Sequence, residues 1–153
     1  MIDLSFEDVS EFKKKEITKL IKKSITVGIK EMQFKKNFYI SIFVTNNNNM
    51  QKINFKYRKK NKTTNVLSFP QNENRRTGKS SSIILGDIVV SLEKVYEESL
   101  KEEKHFYNHL SHMIIHSLLH LLGFDHDTKK NFEVMKKKEI FILSKLSISS
   151  PYK

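Results

Sequence analysis

The chain has 153 residues, no cysteine, and 28 Lys+Arg against 17 Asp+Glu, a formal charge of +11. That length suffices for one domain with its own core, and the missing thiols exclude disulfides and thiolate metal sites, leaving nitrogen and oxygen to hold any ion. No stretch approaches the ~18 uninterrupted apolar residues of a membrane span and the N-terminal MIDLSFEDVSEFKKK lacks a signal-peptide core, so a cytoplasmic protein is expected.

The basic balance favours a polyanion such as RNA through phosphate contacts, although a chain rich in Lys, Asn and Ile throughout reaches such a charge without any such partner. Ile2, Leu4 and Phe6 alternate with polar residues, the period of a half-buried strand. Asp8 followed by Glu11 has the spacing of a capping box ahead of an amphipathic helix bearing Phe12, Ile17, Leu20, Ile21, Ile25 and Ile29. Its lysines, from Lys13 to Lys23, read as a solvated face. Phe38, Ile40, Ile42 and Val44 predict a second strand, and the asparagines at 46–49 a turn with a helix cap. Met50, Ile53, Asn54 and Tyr57 then fall at helical spacing and lead into the basic run KYRKKNK at 56–62.

Residues 63–70, TTNVLSFP, form a β-rich run stopped by proline, and 82–91 contain another, IILGDIVV. Between them, 71–81 is polar, carries Arg75, Arg76 and Gly78, and reads as an exposed loop. A helix with Leu92, Val95, Tyr96 and Leu100 follows, and then a long helix in which His105, His109, His112, His116 and His120 recur every three or four residues along one side. Phe132, Met135, Glu139, Ile140 and Leu143 describe a last amphipathic helix, packing over the back of the histidine site, and the tail after Leu146 is expected to be loose. The pattern is α+β, with about four strands in one small mixed sheet and about five helices; a sheet this small accommodates an antiparallel edge strand.

The chemistry concentrates in HSLLHLLGFDH, from His116 to His126. With about 3.6 residues per turn, His116 and His120 present two imidazoles on one face. Gly123 stands where a helix commonly ends in a left-handed residue, so the chain can turn back and bring in His126. Three neutral imidazoles leave one position of a tetrahedral Zn²⁺ open for water, the layout of a catalytic site. His109 and His112 are expected to line the cleft or core, since three ligands complete the frame. The spacing matches that of metzincin proteases, but the residue after the first histidine is Ser117 and not the Glu that serves those enzymes as general base.

The stretch resembles the HGxLHLxGxDH signature of the YbeY family of bacterial zinc-dependent endoribonucleases, matching at His116, Leu119, His120, Leu121, Gly123, Asp125 and His126. The resemblance extends over almost the whole chain, through Asn54, Arg58, Thr64, the VLSFP at 66–70 and the LGDI at 85–88. Two positions depart from it: Ser117 stands for the family's Gly, and Asn65 for its Asp. The Ser117 hydroxyl is expected to bond the carbonyl one turn earlier.

The resemblance implies one zincin-like metal-dependent endoribonuclease domain over 1–153, with the motif helix under the sheet. The implied activity is zinc-dependent cleavage of single-stranded RNA in ribosomal RNA processing, at the 3′ end of the small-subunit RNA, with ribosome or small-subunit assembly proteins as partners. One Zn²⁺ per chain would be held by His116, His120 and His126. Arg58 would grip the scissile phosphate, or else be one more cation in a basic run. Asp125 would orient an imidazole, or else cap the following helix. Two other readings stay open: a metalloprotease-like hydrolase of a non-RNA substrate, disfavoured by the missing Glu, and a non-catalytic ribosome assembly factor with a structural metal.

Overall fold

The computed structural model describes residues 1–71 and 82–152. Its elements in chain order are β1 (Ile2–Phe6), α1 (Lys14–Glu31), β2 (Phe38–Thr45), α2 (Asn47–Arg58), β3 (Val66–Pro70), β4 (Ile83–Ser91), α3 (Leu92–Lys101), α4 (Phe106–Leu121) and α5 (Lys129–Lys145). The strands form one mixed sheet in the order β1-β2-β4-β3. β1, β2 and β4 run parallel, and β3 pairs antiparallel with β4 as an edge strand. The expected α+β class, strand number and helix number are all met. Most of the expected polar loop, residues 72–81, lies outside the described residues.

Strand alternation sorts the apolar residues into two layers. Ile42 and Val44 lie opposite Ile88 and Val90 and share one face. They join Ile17, Ile21 and Ile25 of α1 and Leu110, Ile114 and Leu118 of α4 in the main core. On the other face, Phe43, Leu67, Phe69 and Val89 pack with Met50 and Ile53 of α2. α4 is buried on a second side as well, where Ile115 and Leu119 meet Met135, Ile142 and Leu143 of α5. A helix covered by the sheet, α1 and α5 is apolar nearly all round, and the histidine-bearing side is the exception.

Three local expectations are corrected. Asp8 and Glu11 do not cap α1: the helix starts at Lys14, after Lys13, which has no side-chain cap bond. Asp8 instead takes a left-handed conformation (φ 59°) and accepts a hydrogen bond from Asn49 Nδ2 at 3.0 Å. A turn in which Phe12 N–H donates to the Val9 carbonyl fills the gap, because Val9 is buried in the core and holds the chain off the helical path. The segment after Leu146 is not loose: Ile148 packs against the α4–α5 cluster. Ser117 makes no back-bond either. It is wholly buried, and its Oγ has no hydrogen-bond partner among the described residues.

The LGDI segment carries a bulge. Tyr39 pairs with Ile84 and Ile40 with Gly86, leaving Leu85 as the extra residue on β4. Gly86 has φ +139°, and a Cβ there would lie 2.3 Å from the carbonyl oxygen of Phe69 on β3. Only glycine permits both the dihedral and the approach.

Gly86→Ala is therefore expected to destabilise the protein by about 2–4 kcal/mol in denaturant unfolding, from backbone strain and overpacking together; a loss below about 1 kcal/mol would mean that β3 gives way freely. Ser117→Ala should be neutral or stabilising by about 1 kcal/mol in the same measurement, because it removes a buried hydroxyl without a partner. A clear destabilisation would reveal a partner for that hydroxyl.

Candidate metal centre

α4 ends at Leu121, and the turn that stops it builds the site. Gly123 N–H donates to the His120 carbonyl (3.1 Å) and Phe124 N–H to the Leu119 carbonyl (3.0 Å), the paired bonds of a Schellman ending, with Gly123 at φ +101°. Phe124 anchors the return by packing on the α4–α5 cluster. Two residues later the chain delivers His126 beside the two histidines of the helix. The ring centroids of His116, His120 and His126 lie 4.7, 4.8 and 5.4 Å apart, and one ligand atom from each falls within 4.8 Å of the other two. The structure thus brings together the three histidines that the sequence spacing singled out.

The ring nitrogens decide what this cluster can hold. His116 Nδ1 faces Glu139 Oε2 at 2.6 Å, and His120 Nδ1 faces the Phe124 carbonyl at 3.0 Å. A carboxylate and a carbonyl only accept, so each ring donates from Nδ1 and turns its Nε2 inward. The two Nε2 atoms are 3.2 Å apart. Two ring nitrogens so close can share one proton or one cation between them. Burial, followed by the neighbouring His116 and His126, lowers the His120 pKa and keeps that imidazole neutral, the form that ligates. The donor set fits a divalent ion of nitrogen preference.

Glu139 is 1% exposed and is the main feature the sequence reading missed as part of the site. Burial pushes its carboxyl upward, but hydrogen bonds from His112 and His116, with a further one from Tyr152, hold it down at about 2, so it is an anion. His112 Nε2 lies 2.6 Å from Oε1, and the Tyr152 hydroxyl donates to the same oxygen. The imidazole-orienting carboxylate expected of Asp125 is supplied to His116 by Glu139, from α5 packed against α4. Asp125 Oδ1 instead accepts the backbone N–H of His126 at 2.7 Å. Nor does Asp125 cap α5: Thr128 does, its hydroxyl accepting the N–H of Asn131 at 3.0 Å. One signal for Glu139 was present in the sequence, an acid on the apolar side of α5 four residues after Met135. Tyr152 gave none.

His109 and His112 are buried and paired with carboxylates, His109 with Glu98 at 3.0 Å. Glu98, Glu102 and His109 also have ligand atoms within 4.8 Å, but Asn65 Nδ2 and His109 already bond Glu98, and Lys104 lies 3.6 Å from Glu102. Asn65 explains its own departure: an Asp there would set a carboxylate against Glu98, whereas the amide donates to it at 3.0 Å.

A cleft of about 570 Å³ opens over the three histidines, walled by β3 and also lined by Arg58 and Asp125. Arg58 is the last residue of α2, on the opposite face of the sheet, and reaches round the edge strand. Its Nη2 donates to the Ser68 carbonyl at 2.8 Å and its guanidinium lies 5.4 Å from the centre of the Phe69 ring. One contact of the fork is used, which fixes the group at the cleft mouth while leaving other donors of the guanidinium for a ligand. All five site residues expected from the sequence line this one cleft.

The chain was compared with known proteins. Residues 3–147 match the family described as Endoribonuclease YbeY. A Bartonella bacilliformis protein of that name is 45% identical over 113 residues, which cover 74% of this chain and 71% of that one. An Ehrlichia canis protein of the same name is 43% identical over 113 residues, covering 74% and 70%. Among solved structures, the solution structure of TM1509 from Thermotoga maritima superposes with a TM-score of 0.62 at 22% identity, covering 100% of this chain and 99% of that one, a likeness of fold. On the strength of the family match over nearly its full length, and of relatives 43–45% identical, the chain belongs to the Endoribonuclease YbeY family.

Proposed function

We propose that the chain is a single zinc-dependent endoribonuclease domain that cleaves single-stranded RNA during ribosomal RNA processing, including maturation of the small-subunit RNA at its 3′ end. The observation that carries this reading is the pair of inward-facing Nε2 atoms of His116 and His120, 3.2 Å apart, with His126 beside them in a cleft shared with Arg58. Relatives named as endoribonucleases support the substrate class, and a formal charge of +11 suits a polyanion. Assembly proteins of the small subunit are the partners and the cytoplasm the compartment this reading entails; no helix among the described residues is long and apolar enough to cross a membrane.

In this reading His116, His120 and His126 hold one Zn²⁺. The bound ion supplies Lewis acidity at the scissile phosphate and acidifies water there. Arg58 binds a non-bridging phosphate oxygen; the Ser68 carbonyl and the Phe69 ring fix its fork before substrate arrives, so less side-chain freedom is lost on binding. Asp125 holds the loop of His126 by its bond to that residue's backbone. Ser117, which occupies the place of the protease general base, is wholly buried and supplies no base to the cleft, which speaks against peptide hydrolysis by that route.

The purified protein should carry about one Zn²⁺, and His120→Ala should lose it, since two imidazoles make a far weaker site. Elemental analysis reads this directly, and undiminished zinc in the variant would remove His120 from the site. Arg58→Ala should keep the metal but lose roughly one and a half to three decades in single-turnover cleavage of a single-stranded RNA, the equivalent of about 2–4 kcal/mol in the transition state. An unchanged rate would return Arg58 to the ordinary surface.

A further inference from the structure

Three donors meet on the buried carboxylate of Glu139, and they come from different parts of the chain. His116 Nδ1 and His112 Nε2 reach it from α4, each at 2.6 Å, and the Tyr152 hydroxyl reaches it from the segment after α5. That segment is docked, not draped. Tyr152 N–H donates to Ser150 Oγ (3.2 Å), which in turn donates to the Tyr152 carbonyl (3.1 Å). The Tyr152 ring stands edge-on to His112, with centroids 5.5 Å apart, and Lys136 Nζ lies 5.0 Å from the ring centre. Nothing in the metal-binding motif requires a phenol, yet this one is aimed at the carboxylate that orients a ligand.

We propose that Tyr152 is a positioning residue for the metal centre: acting through Glu139 it fixes the ring of His116, so that docking of the segment after α5 and metal occupancy stabilise each other. The proposal rests on the reading of His116 as a ligand. A carboxylate buried to this degree keeps its charge and its rotamer only while its oxygens are fully bonded. With Tyr152 docked, Oε1 is saturated by the phenol and by His112, and Oε2 is left to accept from His116 Nδ1. That bond sets the tautomer which exposes Nε2, and raises the basicity of the imidazole toward a cation. Without the phenol, Oε1 keeps His112 as its one donor in a buried site, the carboxylate is held less firmly against His116, and the ligand ring loses part of its fixed orientation. Linkage then requires the converse, that an ion on Nε2 tightens the Nδ1–Glu139 bond and with it the hold on Tyr152.

The test is zinc affinity of the full chain by competition with a chromogenic chelator. Tyr152→Phe preserves the ring packing and removes only the hydroxyl, and it should weaken Zn²⁺ binding about three- to tenfold. Glu139→Gln should weaken it about ten- to a hundredfold, the range for partners of metal-bound histidines. Because Tyr152 acts only through Glu139, the double variant should bind no more weakly than Glu139→Gln alone. Zn²⁺ should also slow amide hydrogen exchange over residues 147–152 in the wild-type chain and not in Tyr152→Phe. Affinity within twofold of wild type in Tyr152→Phe, or effects that simply add in the double variant, would overturn this proposal while leaving the three-histidine site intact. A wild-type chain that takes up no Zn²⁺, or a His120→Ala variant that keeps it, would overturn the three-histidine reading and this proposal with it.

Discussion

Glu139 carries a negative charge with only 1% of its surface exposed, and a charge so placed survives only while hydrogen-bond donors surround it. Those donors tie together two histidines of α4, the helix α5 on which Glu139 sits, and the segment beyond it. The apolar contacts of Ile115 and Leu119 with Met135, Ile142 and Leu143 bring α4 and α5 together without fixing their register finely. The carboxylate between His112 and His116 does fix it, because a shift of either helix by one residue would strand a buried anion. The same bond fixes the ring of His116, so packing and the proposed metal site share one constraint.

The opposite wall of the cleft depends on backbone and not on charge. β3 is a short edge strand, held against β4 through a bulge that brings the backbone of Gly86 onto the carbonyl of Phe69. This close pairing sets the line of Ser68 and Pro70 over the histidines, and the outward carbonyl of Ser68 gives Arg58 its anchor. A cation from the far face of the sheet thereby enters a cleft built by the near face.

The two departures from the family pattern have different physical standing. Asn65 is matched to its surroundings, since its amide donates to Glu98 while its Oδ1 accepts the N–H of Val66. Ser117 is not matched: its hydroxyl is buried and unbonded among the described residues. The helix bears that loss because the ligands on either side of it are placed by helical spacing and by Glu139, not by contacts at position 117.

The sequence by itself determined the elements and the histidine frame. Period-two and period-3.6 patterns located the strands and helices, and the spacing of His116 and His120 with Gly123 placed a third histidine beside them, because helix geometry and a left-handed ending are local properties of the chain. The family resemblance singled out Arg58, and spacing alone could not have brought it to the site. Only the tertiary structure decided what holds the ligands in orientation. Glu139 lies 23 residues from His116 and Tyr152 lies 13 from Glu139, and both reach the site through the packing of α5 on α4. Asp125 looked the better partner for an imidazole because it is adjacent in sequence, yet adjacency directs its carboxylate to the backbone of His126. Asp8 and Glu11 failed as a cap for a related reason, as burial of Val9 outweighed a local preference of about a kilocalorie. Local chemistry is legible along the chain, whereas the partner of a buried charge is fixed by which elements meet.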